Sequence, residues 1–365
     1  MEFNDHVEEL ELYELGDSLG KVAHSLKMDP KDIIKLDSNE NPYGAPKEAV
    51  LAINSSMWEC SVYPDDSMYS LKTALSKRFD ITKDNLVIGT GRDQVIDMAL
   101  RAKCSPGDKI LCAPTVTILY KIYAERVGAE MIHTHSDHHN IDEFLESYDE
   151  HKPKMIFLSL PNNLLGDCLD SEDVYKLLDH VDSNTIVILD GAFQEYAAFK
   201  DKAKEIEPKD VIEKYQNVIY IGTFSKIYGL GGMRVGYGIA SPELSEVLSK
   251  FRPPYNIATL SQVAAVASLE AKEYIRNCLH KNSSEMERFI DFAKAWSLPY
   301  LESYANFLTL PLNIYSSTRV KNGLLKHGVM VYDLKPYGVN AIRVTIGTES
   351  QNDIFLERFE TYIKT

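Results

Sequence analysis

The sequence predicts an α/β fold: a mainly parallel sheet covered by helices on both faces, followed by a smaller α+β region. Three observations predict it. Short apolar runs alternate with helix-periodic segments through the middle of the chain, the pattern of strands joined by crossover helices. The pattern changes after FRPPYN (251–256), where long helical stretches and short alternating strands take over. The chain's 365 residues, 44% hydrophobic and 25% charged, are enough for one large and one smaller globular unit.

Each element follows from its own pattern. Residues 1–35 read as an arm plus a short helix. NLVIG (85–89) precedes the helical DQVIDMALRAK, KILCAP (109–114) precedes ILYKIYAERVG, and KMIFLSLP (154–161) precedes SEDVYKLLDHV. TIVILD (185–190) and NVIYIG (217–222) continue the series. Two helical patterns follow at roughly 258–280 and 282–296, then the strand-like FLTLPL, GVMVYD and AIRVTIG, then a final helix from about 350. The expected organisation is an arm (1–35), a large ligand-binding domain (36–250) and a small C-terminal domain (251–365).

Composition excludes several function classes. A formal charge of −15 disfavours nucleic acid as a partner, because phosphate backbones reward basic surfaces. No apolar run approaches the roughly 20 residues that span a bilayer, so no membrane partner is expected. The acidic start, MEFNDHVEELELYELG, lacks the basic and apolar regions of a signal peptide. Cys60, Cys104, Cys112, Cys168 and Cys278 form no CxxC pair and read as free thiols in a reducing, cytoplasmic setting. HTHSDHH (133–139) has short histidine spacing, but its polar setting favours a solvated loop over a metal site.

Ligands of parallel sheets bind beyond the carboxyl ends of strands, so the residues there carry the argument. The strand at 85–89 ends in Gly89-Thr90-Gly91, before a helix N-terminus suited to a phosphate. GTGRDQ lacks the third glycine of a dinucleotide fingerprint, which disfavours a nicotinamide dehydrogenase. The strand at 154–161 runs into Asn162 and Asn163, and that at 185–190 ends in Asp190. The strand at 217–222 opens into Thr223, Ser225 and Lys226, with Arg234 further on. Singly, Asp190 reads as a helix cap or an ion pair, and Lys226 as a solvated amine. Together the set describes pyridoxal phosphate. Hydroxyls and Arg234 form a phosphate cup, Lys226 condenses with the aldehyde, Asp190 keeps the pyridine nitrogen protonated, and Asn163 bonds the phenolic oxygen.

With these motifs the sequence resembles the fold-type I pyridoxal-phosphate aminotransferases, and among them the histidinol-phosphate aminotransferases. SNENPYG (38–44), YPDD (63–66), GTGRDQ (89–94), PNNLLG (161–166), DGAFQEY (190–196), FSKIYGLGGMRVGYG (224–238) and IRVTIGT (342–348) carry the resemblance nearly end to end. It implies that Lys226 holds the cofactor and then moves a proton, with Asp190 and Asn163 on the ring. Gly91 and Arg92 (through backbone N–H), Ser225 and Arg234 are implied on the phosphate, beside Thr223. Tyr63 would reach that phosphate from the partner subunit of an obligate homodimer with shared active sites. Arg343 would bind the donor's carboxylate and, by alternation, the phosphate end of the second substrate. Asn39 and Tyr13 would lie in substrate-closing segments.

Four departures from the family pattern bear on substrate. Phe193 stands where the family has Tyr, with Gly191 in place of Glu beside it. The missing hydroxyl removes one hydrogen bond to a charged oxygen, worth roughly 1.5–3 kcal/mol, which predicts a raised pKa for the lysine–cofactor linkage. Thr117 falls where an aromatic residue stacks on the cofactor ring. Leu164 replaces a proline, which predicts a relaxed backbone bend. Tyr332 replaces an arginine that holds the substrate's acidic groups, and a tyrosine cannot reproduce a bidentate fork.

Drift compensated by Tyr120, Tyr123, Arg92 or Lys335 competes with a paralogue reshaped for another substrate, and the number of changes favours the paralogue. The expected reaction passes an amino group from L-glutamate to a phosphorylated keto-alcohol. Imidazole acetol phosphate giving histidinol phosphate is the family default, and dihydroxyacetone phosphate giving serinol phosphate is the smaller candidate. Decarboxylation of phosphothreonine or phosphoserine is the alternative within this fold, and a catalytically weak cofactor-binding regulator the alternative outside enzymes.

Overall fold

A computed structural model describes Val7, Leu10 and residues 17–364. Tyr13 lies outside the described residues. A helix at Leu19–Leu26 and a short turn at Pro30–Asp32 lead into β1 (Ile34–Leu36). The strands that follow are β2 (Leu86–Thr90), β3 (Lys109–Cys112), β4 (Glu130–His133), β5 (Met155–Ser159), β6 (Ile186–Asp190), β7 (Val218–Thr223), β8 (Val235–Ile239), β9 (Phe307–Pro311), β10 (Val329–Asp333) and β11 (Ala341–Thr345).

The larger sheet has the order β2-β8-β7-β6-β5-β3-β4. Its strands are parallel except β8, which runs antiparallel to both β2 and β7. Strands β5, β6 and β7 are buried along their whole length, which is why their sequences are near-continuous apolar runs. Strand β4 closes one edge and is only partly buried. Strand β8 lay hidden in the sequence inside the glycine-rich stretch, since glycine is a poor strand former. Packing explains its glycines: a Cβ at Gly236 would stand 2.2 Å from the Arg92 backbone nitrogen, and one at Gly238 would stand 2.8 Å from Val87 and Val95.

The smaller sheet has the order β1-β10-β11-β9. Its strands β10, β11 and β9 are antiparallel, whereas β1, from the start of the chain, joins β10 in parallel. Phe289, Phe355 and Phe359 fill the core behind this sheet. The helical boundary expected near residue 281 falls instead at Ala271, between helices Thr259–Glu270 and Lys272–Ala295. Ala271 has ψ of 50°, outside helical geometry, with no glycine or proline to announce it. Despite the pattern change at 251–256, helix Thr259–Glu270 packs on helix Lys47–Ser56, and its Ala264, Ala265 and Leu269 belong to the larger core. Helix Lys272–Ala295 hands the chain over, with Cys278 in the larger core and Met286 and Phe289 in the smaller.

Among the described residues, no helix is long and apolar enough to cross a membrane, and no cluster of three or more ligating side chains could hold a metal ion. In the histidine-rich loop, His139 Nδ1 lies 3.1 Å from Asp167 Oδ2 and His138 Nδ1 3.6 Å from Asp167 Oδ1. All five cysteines are unpaired.

Candidate active site

The carboxyl ends of β5, β6 and β7 open onto one pocket, and β2, β1 and β11 bring the remaining groups to it. Lys226 follows β7 and is half-buried. Its Nζ donates to the carbonyl of Ser38 at 3.0 Å. Burial, assisted by the charges of Arg92 and Arg343, lowers the amine's pKa to about 7. An amine so tuned is present in comparable free-base and protonated forms near neutral pH, which suits a nucleophile that also carries protons. Phe193, fully buried at the end of β6, faces this amine with its ring centroid 5.4 Å from Nζ. It offers no hydroxyl there.

Asp190 ends β6 and is buried. The Arg92 Nη1 donates to both of its oxygens, at 2.7 and 2.5 Å. Tyr120 OH donates to Oδ2 at 2.6 Å, and the backbone N–H of Ala192 to Oδ1 at 3.2 Å. Burial opposes the charge on Arg92, but Asp190, Tyr120 and Asp93 more than offset it and raise the guanidinium's pKa. The sequence reading assigned Arg92 to the phosphate through its backbone; the structure sends its side chain to Asp190. The reading also missed Tyr120 as an Asp190 partner. Its place in an otherwise apolar helix turn, beside a strand-end motif, was the available signal.

The residues expected to hold a phosphate lie where β7, the start of helix Arg92–Lys103 and the loop before β8 converge. Thr223 Oγ1 lies 3.1 Å from Ser225 Oγ and accepts from the Ser225 backbone N–H at 3.1 Å. Arg234 Nη1 reaches Ser225 Oγ at 3.5 Å and the Gly231 carbonyl at 3.1 Å, and Nη2 lies 3.3 Å from Asp93. Gly91 has φ of +75°, a conformation that favours glycine, and a Cβ there would stand 2.5 Å from the mobile end of Arg234. The Gly91 N–H, expected on a phosphate, instead donates to the Arg234 carbonyl at 2.9 Å. The first N–H groups of the following helix have no intrahelical acceptor, which leaves them available to an anion.

On the opposite wall, Arg343 of β11 is buried, and its guanidinium donates to the carbonyls of Asn163 at 2.7 Å and Asp37 at 2.8 Å. Burial lowers its pKa to about 10 against the opposing pull of Tyr332, Tyr337 and Asp37. Its Nε and the Asn163 Oδ1 are buried without a hydrogen-bond partner. Buried polar atoms left unpaired are costly, so each of these would gain from a polar partner. Tyr332 pairs with Arg343 across β10 and β11, its ring 4.5 Å from the guanidinium and its hydroxyl 3.1 Å from Tyr337 OH. Asn39, with φ of 53°, is held to β11 by Thr345: its N–H donates to Thr345 Oγ1 at 2.9 Å, and its Oδ1 accepts from the same hydroxyl at 3.2 Å. Tyr63 stands apart from the pocket, 82% exposed, with its ring tilted against that of Tyr255 at 4.8 Å between centroids.

Three departures acquire local causes. Thr117 caps helix Ile118–Arg126, accepting from the Leu119 N–H at 3.4 Å. The bend at Leu164, expected to relax without proline, is held by a hydrogen bond that proline could not make. The Leu164 N–H donates to Asn162 Oδ1 at 2.9 Å, seconded by Leu165 at 3.2 Å. Gly191 leaves room for Tyr220, whose hydroxyl would lie 2.4 Å from a Cβ at that position.

The sequence profile of the aminotransferase class I and II family matches residues 31–359. The chain belongs to this family. A histidinol-phosphate aminotransferase of Wolinella succinogenes is 45% identical over 364 residues, covering 100% of this chain and 99% of that protein. One of Aliarcobacter butzleri is 47% identical over 353 residues, covering 96% of each. Among solved structures, the histidinol-phosphate aminotransferase of Sinorhizobium meliloti in complex with pyridoxal-5'-phosphate superposes with a TM-score of 0.89 at 21% identity, covering 99% of this chain and 97% of that one. This aminotransferase therefore has the fold-type I architecture, and it is a transaminase dependent on pyridoxal phosphate.

The aminotransferase site fits that cofactor at the Thr223, Ser225 and Arg234 cluster, which suits a phosphate, and at the Lys226 amine. At Asp190 the fit is contested by Arg92. Ser38 is a further pocket residue that the sequence reading passed over, although it opens the SNENPYG motif.

Proposed function

We propose that this aminotransferase moves an amino group from L-glutamate to a phosphorylated keto-alcohol, with imidazole acetol phosphate as acceptor and histidinol phosphate as product. The observation that carries the reading is the Arg343 wall: a buried guanidinium with an unpaired Nε, close enough to Lys226 for its charge to lower the amine's pKa. A buried guanidinium with a free donor, beside an amine of lowered pKa, suits the recognition of a carboxylate or phosphate. Full-length relatives bearing the histidinol-phosphate name support this choice of acceptor.

The roles divide by wall. Thr223, Ser225 and Arg234, with the helix N-terminus at Arg92, hold the cofactor's phosphate. Asn163 bonds the phenolic oxygen, and Asp190 the pyridinium. When bound, the cofactor supplies an electron sink for charge developing at the substrate α-carbon. Lys226 Nζ would anchor the cofactor and, once freed, carry a proton from the donor's α-carbon to the cofactor, and in the second half-reaction from the cofactor to the acceptor's carbon. Arg343 orients the acidic end of each substrate in turn, and Asn39 and Thr345 keep the β1 side of the pocket closed over it.

We further propose that the enzyme is a cytoplasmic homodimer completing each site with Tyr63 of the partner. Support comes from the exposed Trp58, Val62, Tyr63 and Tyr255, a run of large apolar side chains beside the pocket-bearing domain. The five unpaired cysteines agree with a reducing compartment.

One observation favours a second acceptor, dihydroxyacetone phosphate. Tyr332 supplies a hydroxyl where the resemblance implies a guanidinium, which suits a smaller, more polar substrate. The deciding experiment converts the enzyme to its aminated cofactor form with glutamate, removes the excess, and adds each keto-phosphate separately. Rapid return of the original absorbance with imidazole acetol phosphate supports the first reading. Return with dihydroxyacetone phosphate alone overturns it in favour of the second.

A further inference from the structure

Asp190 is saturated. Arg92 Nη1 bridges its two oxygens at 2.7 and 2.5 Å, Tyr120 OH occupies Oδ2 at 2.6 Å, and the Ala192 N–H occupies Oδ1 at 3.2 Å. A carboxylate offers about four acceptor directions, and these contacts use them. The ion pair is well enclosed: the Arg92 side chain is 12% exposed and that of Asp190 is fully buried. A pyridinium N–H on Asp190 therefore has to displace a donor. Tyr120 is packed in place against Phe157, ring to ring at 4.4 Å, and Ala192 is backbone. Arg92 is the long, flexible member of the set, at the first position of its helix, with Asp93 Oδ1 3.6 Å from its Nε as a second partner. That neighbour gives the guanidinium somewhere to go, toward the phosphate cup where Arg234 also meets Asp93.

We propose that Arg92 and the cofactor's pyridinium are alternative occupants of Asp190, so that Arg92 sets both the affinity and the entry rate of pyridoxal phosphate in this chain. The inference rests on the assignment of Asp190 to the pyridinium given above. Its thermodynamic consequence is direct: the observed affinity is the intrinsic affinity multiplied by the fraction of molecules in which Asp190 is released. Removing the internal competitor raises that fraction. Binding then strengthens even though a positive charge near the phosphate has been removed. A residue that merely helped hold the phosphate would give the opposite sign.

The test uses the full-length protein stripped of cofactor and titrated with pyridoxal phosphate, binding being followed by fluorescence quenching and stopped-flow absorbance. Arg92→Met keeps the side chain's bulk without its charge, and Arg92→Gln serves as a second variant should the first fail to fold. The expected result is at least tenfold tighter binding, arising mainly from faster association. In an Asp190→Asn background, where no carboxylate anchors the guanidinium, the same Arg92 substitutions are expected to change affinity less than twofold. Unchanged or weaker binding by the Arg92 variants, with normal uptake by the parent chain, overturns the competition and leaves the assignment of Asp190 standing. Equal affinities of the parent and its Asp190→Asn variant, with no gain from the Arg92 substitutions, overturn both.

Discussion

Lys226 shows how a single side chain acquires a function from its surroundings. Its amine titrates near pH 7 because burial, Arg92 and Arg343 all disfavour the charged form. Unfolded, the same amine titrates near 10.5. Between these values the unfolded chain binds a proton that the folded chain does not, so this group's contribution to stability rises with pH across that window. For chemistry, covalent capture of pyridoxal phosphate by Lys226 should rise through a midpoint near pH 7, measured as borohydride-fixed cofactor after short exposures. A midpoint near pH 10 would refute the assignment of the lowered pKa. Lys226→Ala should reduce transamination by about a thousandfold or more, the range expected when nucleophile and proton carrier are lost together.

Phe193, facing Lys226 without a hydroxyl, invites a second substitution at this scale. Phe193→Tyr should lower the pKa of the lysine–cofactor linkage by about one unit or more, since one hydrogen bond to a charged oxygen is worth roughly 1.5–3 kcal/mol. A spectroscopic pH titration of the parent and variant checks it, and superimposable curves would exclude the effect. That Lys226, Asp190, Asn163, Ser225 and Arg234 were nameable from the sequence reflects their place at strand ends. Ser38 and the Arg92 side chain were not, because a backbone carbonyl carries no sequence label and a flexible arginine can point several ways.

At the scale of elements, the pairing of β10 with β11 puts Tyr332 directly across from Arg343. Tyr332→Arg would add a second guanidinium to this wall. It should raise kcat/KM for imidazole acetol phosphate by about 10- to 100-fold, the equivalent of one charge-assisted contact in the transition state. Steady-state kinetics with both keto-phosphates would show it, and an equal change for both would mean that Tyr332 does not discriminate between them. The strands of the larger sheet were legible because burial on both faces writes an apolar run into the sequence. Strand β8 was not, since the close approach of helix Arg92–Lys103 and of Val87 demands glycine where a strand former would otherwise stand. The helix break at Ala271 was equally silent, because no glycine or proline there marks it.

For the whole molecule, the exposed aromatic and apolar residues between Leu51 and Tyr69, with Tyr255, bear on association. Trp58 is 75% and Val62 57% exposed, values that isolated chains rarely sustain in adjacent large side chains. A Trp58→Glu, Val62→Glu double variant should sediment as a monomer at micromolar concentration and lose most of its activity through withdrawal of the partner's Tyr63. A dimer of undiminished activity would show that the contact lies elsewhere. Both sheets bring side chains to one place: the larger supplies Lys226, Asp190, Thr223 and Ser225, and the smaller supplies Arg343 and Tyr332.

The sequence alone determined the α/β class, the strand-end residues and the cofactor chemistry, because each rests on local rules: apolar periodicity, glycine at a helix start, an amine and a carboxylate after buried strands. The tertiary structure alone decided which of these groups meet. It bound Arg92 to Asp190, left Arg343 Nε and Asn163 Oδ1 unpaired, gave Lys226 its lowered pKa and brought β1 alongside β10. Those outcomes depend on distances between residues far apart in the chain and on the burial that packing imposes, and neither quantity is written in any short stretch of sequence.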